Sequence, residues 1–210
     1  VESEFQNASV DVQHALTPQL TAQGVIFGSR FESESDNKTT TIGVGLGADY
    51  AFSEQMTGSV FAAYRVSRIS PATQDSETVD GLSARASLER KYERGSFQGG
   101  VSRELTPSGS GFVITTDVAD FRWRHRWRER FTSSFRVELV QTEGLGNSAT
   151  LEDRTRSVAE VWLTYRLLPE WYLDTVARYV RQDRENGIDA DAAAFWVGIR
   201  YRGFDRSLGW

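Results

Sequence analysis

Apolar residues recur at every second position along much of the chain. Between residues 41 and 52, one parity reads Ile42, Val44, Leu46, Ala48, Tyr50 and Phe52, and the other reads Thr41, Gly43, Gly45, Gly47 and Asp49. Further on, Ala159, Val161, Leu163, Tyr165 and Leu167 alternate with Arg156, Val158, Glu160, Trp162, Thr164 and Arg166. Ala193, Phe195, Val197, Ile199 and Tyr201 alternate with Ala194, Trp196, Gly198, Arg200 and Arg202. Side chains alternate across a strand, so a period of two gives each segment one apolar and one polar face. A helical repeat needs spacings of three and four, which are absent. Residues 20–32 are ambiguous, with Val25, Phe27 and Phe31 on one parity and Leu20 and Ile26 on the other.

A short pattern punctuates these segments: apolar, three turn-like residues, apolar, often then Thr. It occurs at Leu16–Thr21, Phe52–Thr57, Trp127–Thr132 and Leu167–Trp171, with a looser copy from Leu88 to Phe97. Between the copies lie longer polar stretches, Glu32–Lys38, Ile69–Thr78, Leu105–Ser110, Glu143–Asp153 and Arg181–Asp189, rich in turn formers. A short turn thus alternates with a longer loop, and short connections demand antiparallel neighbours. The pattern predicts an all-β, antiparallel up-and-down meander in a single domain, 1–210. Its strands are expected at 3–15, 20–32, 39–51, 56–68, 79–91, 97–104, 112–126, 131–142, 154–166, 171–181 and 191–203.

Mean hydropathy is −0.44, which by itself suggests a soluble protein. The segment lengths point elsewhere. Sandwich strands usually run about 5–6 residues, whereas these match the ~9–11 of a tilted membrane-spanning strand. Tyr50, Phe52, Phe97, Trp127, Phe131, Tyr165 and Trp171 fall at the turn-side ends of the apolar faces, where a headgroup-level girdle belongs. Only every second residue would meet lipid, so no window looks hydrophobic. A spanning sheet must close on itself, because lipid offers no hydrogen bonds to an open edge. The expectation is a transmembrane β-barrel in the bacterial outer membrane, with a soluble sandwich or lipocalin-like barrel as the alternative. Bacterial single-chain barrels have even strand numbers. The odd count means that a strand precedes Val1 or that one assigned segment holds two strands; the first is favoured, giving a barrel of about 12 strands or the C-terminal part of a larger one.

Charge then gives the polar face its character. The basic residues number 24, and only Lys38 and Lys91 among them are lysine. Arg65, Arg85, Arg122, Arg124, Arg126, Arg136, Arg156, Arg166, Arg178, Arg200 and Arg202 take the polar, inward parity. So do Asp11, Asp49, Glu89, Glu104, Asp120, Glu138, Glu160 and Asp174. The arginines concentrate in strands seven to eleven and the acids are spread evenly. A cationic wall facing a weakly acidic one would favour anions in the lumen. Alternatively, Arg–acid pairs on neighbouring strands fill the interior. Phe61, Trp162, Val176 and Trp196 are bulky inward groups, for packing or for stacking sugar rings.

Other chemistry is sparse. The chain has no Cys and two His, which argues against disulfides, thiolate chemistry and a zinc site, and with no phosphate loop, metal motif or nucleotide fingerprint no cofactor is expected. A net charge of −5 with pI near 5.2 argues against nucleic-acid binding. No apolar run reaches a helical span, and no segment reads as a signal peptide. His14 and His125 take the outward parity near the turns. A lipid-facing Ser–His pair with Ser133 or Ser134 is conceivable, but an interfacial imidazole explains both histidines. No enzyme is expected.

One segment carries a resemblance. Ser102-Arg-Glu-Leu-Thr-Pro-Ser-Gly-Ser-Gly111, followed by a strand and a Trp-Arg-Glu-Arg-Phe turn, resembles outer-membrane β-barrels encoded with exopolysaccharide export systems. The resemblance implies a barrel that helps pass or anchor a secreted polymer, and it transfers no catalytic residues. Two functional classes follow: a pore for anionic solutes or exported polysaccharide, or an anchoring barrel with a salt-bridge-filled lumen in an envelope assembly. Expected partners are the lipid bilayer and lipopolysaccharide, with polysaccharide or other envelope proteins beside them. The tail from Phe204 ends in an aromatic, Trp210, as many bacterial outer-membrane barrels do.

Overall fold

The structure, a computed structural model, describes residues 4–32, 38–70, 76–107, 113–144, 153–184 and 189–202. The aromatic-ended tail and the loop centres lie outside the described residues. One antiparallel sheet contains β1 (Glu4–Ala15), β2 (Leu20–Glu32), β3 (Lys38–Ser53), β4 (Met56–Ser70), β5 (Glu77–Tyr92), β6 (Gly95–Pro107), β7 (Val113–Arg128), β8 (Phe131–Gly144), β9 (Arg154–Leu168), β10 (Trp171–Arg184) and β11 (Ala190–Tyr201). Each strand pairs with its sequence neighbours, in the order β1 to β11. β11 ends at Tyr201, two residues short of its expected end, and most other strands are slightly longer than expected.

The short turns do more than reverse the chain. The carbonyl of Gln19 accepts from the N–H of Ala51 at 2.8 Å. Gln55, Arg94, Arg130 and Glu170 accept in the same way from Lys91, Arg126, Arg166 and Arg202, each at 2.7 Å. The first four turns are thus each tied to the start of the next one along the rim, and the fifth to the end of β11. The recurrent spacing in the sequence is the spacing of these ties.

Burial is inside out. In β3, Ile42, Val44 and Leu46 are 64, 53 and 72% exposed, while Thr39 and Thr41 on the opposite parity are buried. The same reversal puts Val60, Tyr64 and Val66 of β4 outside and Ala63, Ser67 and Ile69 inside. Register resolves β2. Phe27 pairs with Gly43 and Val25 with Gly45, so both face inward, while Ile26 pairs with Val44 and faces outward. A Cβ on Gly43 would lie 2.3 Å from the Phe27 ring, and one on Gly45 would lie 2.4 Å from Phe61. The glycines of β3 therefore make room for rings that lie flat across it from both neighbours.

The inner face is concave. It encloses a cavity of 630 Å³ whose lining runs from Asn7 and Asp11 of β1 through Gln23, Asp49 and Arg65 to Leu105 of β6. β1 and β11 are exposed throughout, and among the described residues no ladder joins them. With eleven alternating strands they run in the same direction. Antiparallel closure therefore takes a strand running opposite to both.

Candidate functional site

The inner face of β7–β10 carries the densest charge, and register stacks it into rows. Gln98 pairs with Arg122, Arg122 with Arg136, Arg136 with Glu160, and Glu160 with Arg178. Glu89 extends this row on β5, opposite Gln98. One row toward the loops, Asp120 lies opposite Glu138. One row toward the turns, Arg124 and Ser134 lead to Trp162, Val176 and Trp196. Arg126 and Thr132 lead to Thr164, Asp174 and Gly198 in the next. A second inner cavity, of 440 Å³, is bordered by Glu89, Gln98, Arg122, Arg124, Arg136 and Glu160.

Part of this charge is paired. Arg136 donates to Glu138 two residues along its own strand. Arg178 lies 3.9 Å from Glu160. Asp174 accepts from Arg200 at 2.7 and 3.1 Å and from Thr164 Oγ1 at 2.7 Å, and the Arg200 guanidinium lies 5.2 Å from the Tyr172 ring centre. Arg85 donates to Glu104 at 2.7 Å. Among the described residues, Arg122, Arg124, Arg126, Arg156 and Arg166 form no ion pair. On β7–β10 the unpaired arginines thus lie on β7 and β9; Asp120 on β7 and Arg65 on β4 likewise form no ion pair among the described residues. Arg156 sits toward the loops opposite Val140 and Gln182, and Arg166 toward the turns opposite Tyr172. Arg202 is exposed just past β11.

The β1–β6 half differs. Asp49 lies opposite Thr21 and Ser59. Arg65 is half-buried, with its guanidinium 4.8 Å from the Phe27 ring centre and Nη1 donating to the Leu105 carbonyl at 2.9 Å. The amides Asn7, Gln13 and Gln23 complete a mostly uncharged lining. These amides and Gln98 were not singled out by the sequence, because an amide at inward parity looks like any polar strand residue until the register shows what shares its row.

The outer face holds a second set of polar groups, at the turn-side rim. Trp123 Nε1 donates to Tyr92 Oη at 2.8 Å, and His125 Nδ1 lies 3.3 Å from the same oxygen. His125 stacks on Trp123 with ring centres 5.7 Å apart and planes 2° from parallel. Ser133 is directly opposite His125, but its hydroxyl accepts from Trp127 Nε1 at 2.9 Å. Ser134 faces inward opposite Arg124. His14 lies on the exposed edge strand opposite Ala22, far along the sheet from His125. The arrangement is an aromatic cluster with its N–H groups satisfied, and no Ser–His hydrogen bond occurs among the described residues.

No protein family and no curated protein matches the chain. Among solved structures, it is similar to the translocator domain of the autotransporter NalP from Neisseria meningitidis, with TM-score 0.41 and 16% identity over 96% of this chain and 82% of that one. It is similar to the beta domain of the Bordetella autotransporter BrkA, with TM-score 0.34 and 16% identity over 96% and 91%. A third likeness is to OmpT, an outer membrane protein of Vibrio cholerae, with TM-score 0.36 and 10% identity over 93% and 88%.

Proposed function

We propose that this chain forms the wall of a β-barrel in the bacterial outer membrane, with an arginine-rich lumen that passes anionic solutes or an exported polysaccharide. The observation that carries the reading is the reversal of polarity. Large apolar side chains are exposed on one face of nearly every strand, and most of the strand charges lie on the concave face, with the Arg103–Asp117 pair an exception on the outer face toward the loops. In water that arrangement would leave a broad apolar surface uncovered; against acyl chains it is the stable one. The free arginines of β7 and β9 support anion preference, since fixed charge in a narrow low-dielectric channel concentrates its field. The bilayer and lipopolysaccharide are the proposed partners of the outer face. No enzymatic role is proposed.

The test is single-channel recording in a planar bilayer under a salt gradient. A steady current with a reversal potential set by the anion supports the reading. A steady current with cation preference overturns the lumen assignment. No steady current from folded, inserted protein favours the second reading, an anchoring barrel in an envelope assembly. Its supporting observation is the set of inner ion pairs, Arg85–Glu104, Arg136–Glu138, Glu160–Arg178 and Asp174–Arg200.

A further inference from the structure

One stretch of the wall is not continuous. The ladder between β5 and β6 runs from Tyr92 and Gly95 to Ala84 and Arg103 and stops there. Yet β5 continues to Glu77, and β6 continues to Pro107 still paired with β7. Beyond Arg103 the last residues of β6, Glu104–Pro107, and the residues of β7 paired with them, Val113–Thr116, together the hairpin end, lie inward of β5. Leu105 now occupies the space that a side chain on Gly81 would fill, with Cδ2 2.6 Å from that Cβ position. Leu105 pairs with Thr115 and shares its parity with Arg103 and Val101, which face outward. The outer side of the hairpin end therefore lies on the inner side of β4 and β5, as a lapped seam. Ile69, Leu105 and Val113 are buried there with Val79 against them, and Thr115 is buried too.

A single row fastens the lap. Phe27 pairs with Gly43, Gly43 with Arg65, and Arg65 with Gly81. Phe27 covers the first glycine and Leu105 the second. Arg65 stands between them, its guanidinium over the Phe27 ring and its Nη1 on the Leu105 carbonyl.

The same residues also fit an unlapped wall. Continuing the existing register sets Ser83 against Glu104, Leu82 against Leu105 and Gly81 against Thr106. Leu105 would then join exposed Leu82 on the outer face, and the β5–β6 ladder would extend past Ala84. Lapping buries apolar side chains; zipping satisfies strand-edge hydrogen bonds, which matters most where water is scarce. We infer that the hairpin end has two pairing states, lapped and zipped, and that exchange between them sets the room in the inner cavity, which Leu105 and Thr106 line. The inference holds whether the lumen conducts or is filled.

Cysteine pairs separate the states, because residues 81 and 82 face opposite sides. The Gly81→Cys/Leu105→Cys pair joins only in the lapped state and Leu82→Cys/Leu105→Cys only in the zipped one, where directly paired residues fall within disulfide range. Both variants, refolded into phosphatidylcholine vesicles and oxidised, are expected to cross-link, the first more completely. Adding Arg65→Gln is expected to raise the zipped yield, with a shift in the ratio of about tenfold from the loss of one charged hydrogen bond. Cross-linking of the first pair alone, in both backgrounds, means a fixed inward turn and overturns the inference. Cross-linking of the second pair alone, or of neither, removes the lapped state and overturns it equally. Hydrogen exchange on the unsubstituted protein is independent of refolding variants. Amides at Thr78–Ser83 should exchange faster than those at Arg85–Arg90, and equal protection would exclude the lap.

Discussion

Gly45 shows how much a single position decides on the inner face. Its missing side chain is replaced by the Phe61 ring, so Gly45→Val must displace that ring or bend β3. Overpacking of this kind costs about 1–3 kcal/mol. A fall of that size in the urea-unfolding free energy of the protein in vesicles is the expected result, with Val44→Ile on the open outer face changing little. Some of this was legible in the sequence. The outward direction of Ile42, Val44 and Leu46 follows from alternation alone, and register puts them where alternation does. Val25 and Phe27 were not legible, because β2 has apolar residues on both parities. Only the pairing with Gly43 and Gly45 shows that large inward groups on β2 answer small ones on β3.

Hairpins are the unit at the next scale. The ties from Gln19, Gln55, Arg94, Arg130 and Glu170 fix the turn-side rim, and the aromatic cluster stands just above it on the outer face. Tyr92 joins β5 to β7 through one oxygen shared by Trp123 and His125. Tyr92→Phe leaves the Trp123 N–H without its acceptor, at a cost of about 1 kcal/mol. A lower unfolding free energy, together with a shifted tryptophan emission maximum, is expected, and an unchanged spectrum would show that Trp123 is not held by this bond. Strand number and turn positions were legible because each short turn repeats the same apolar bracket. The departure of β6 from β5 was not, since Leu105 and Val113 have the parity of lipid-facing residues and satisfy that pattern equally well when tucked inside.

Across the whole molecule the two faces make opposite demands on the solvent. Trp123, Trp127 and Trp171 lie on the outer face, while Trp162 and Trp196 share an inner row with Val176. Brominated acyl chains should quench single-tryptophan variants of the first set strongly and of the second set weakly. Equal quenching of both sets would be incompatible with a barrel wall. Composition concealed this arrangement, because averaging an exposed apolar face with an enclosed ionic one gives the hydropathy of an ordinary soluble protein. The role of the lumen was not legible either. Arginines that pair with acids and arginines that stay free occupy the same parity, and cross-strand neighbours alone distinguish them.

The parallel heading of β1 and β11 restricts what can complete the sheet. Every copy of the chain inserted into one membrane in the same sense presents both of its edges pointing the same way. No rotation about the membrane normal reverses a strand, so no sister molecule can offer either edge an antiparallel mate. Self-assembly along these edges by antiparallel pairing is therefore excluded by geometry, and an antiparallel seal needs a segment that travels against both.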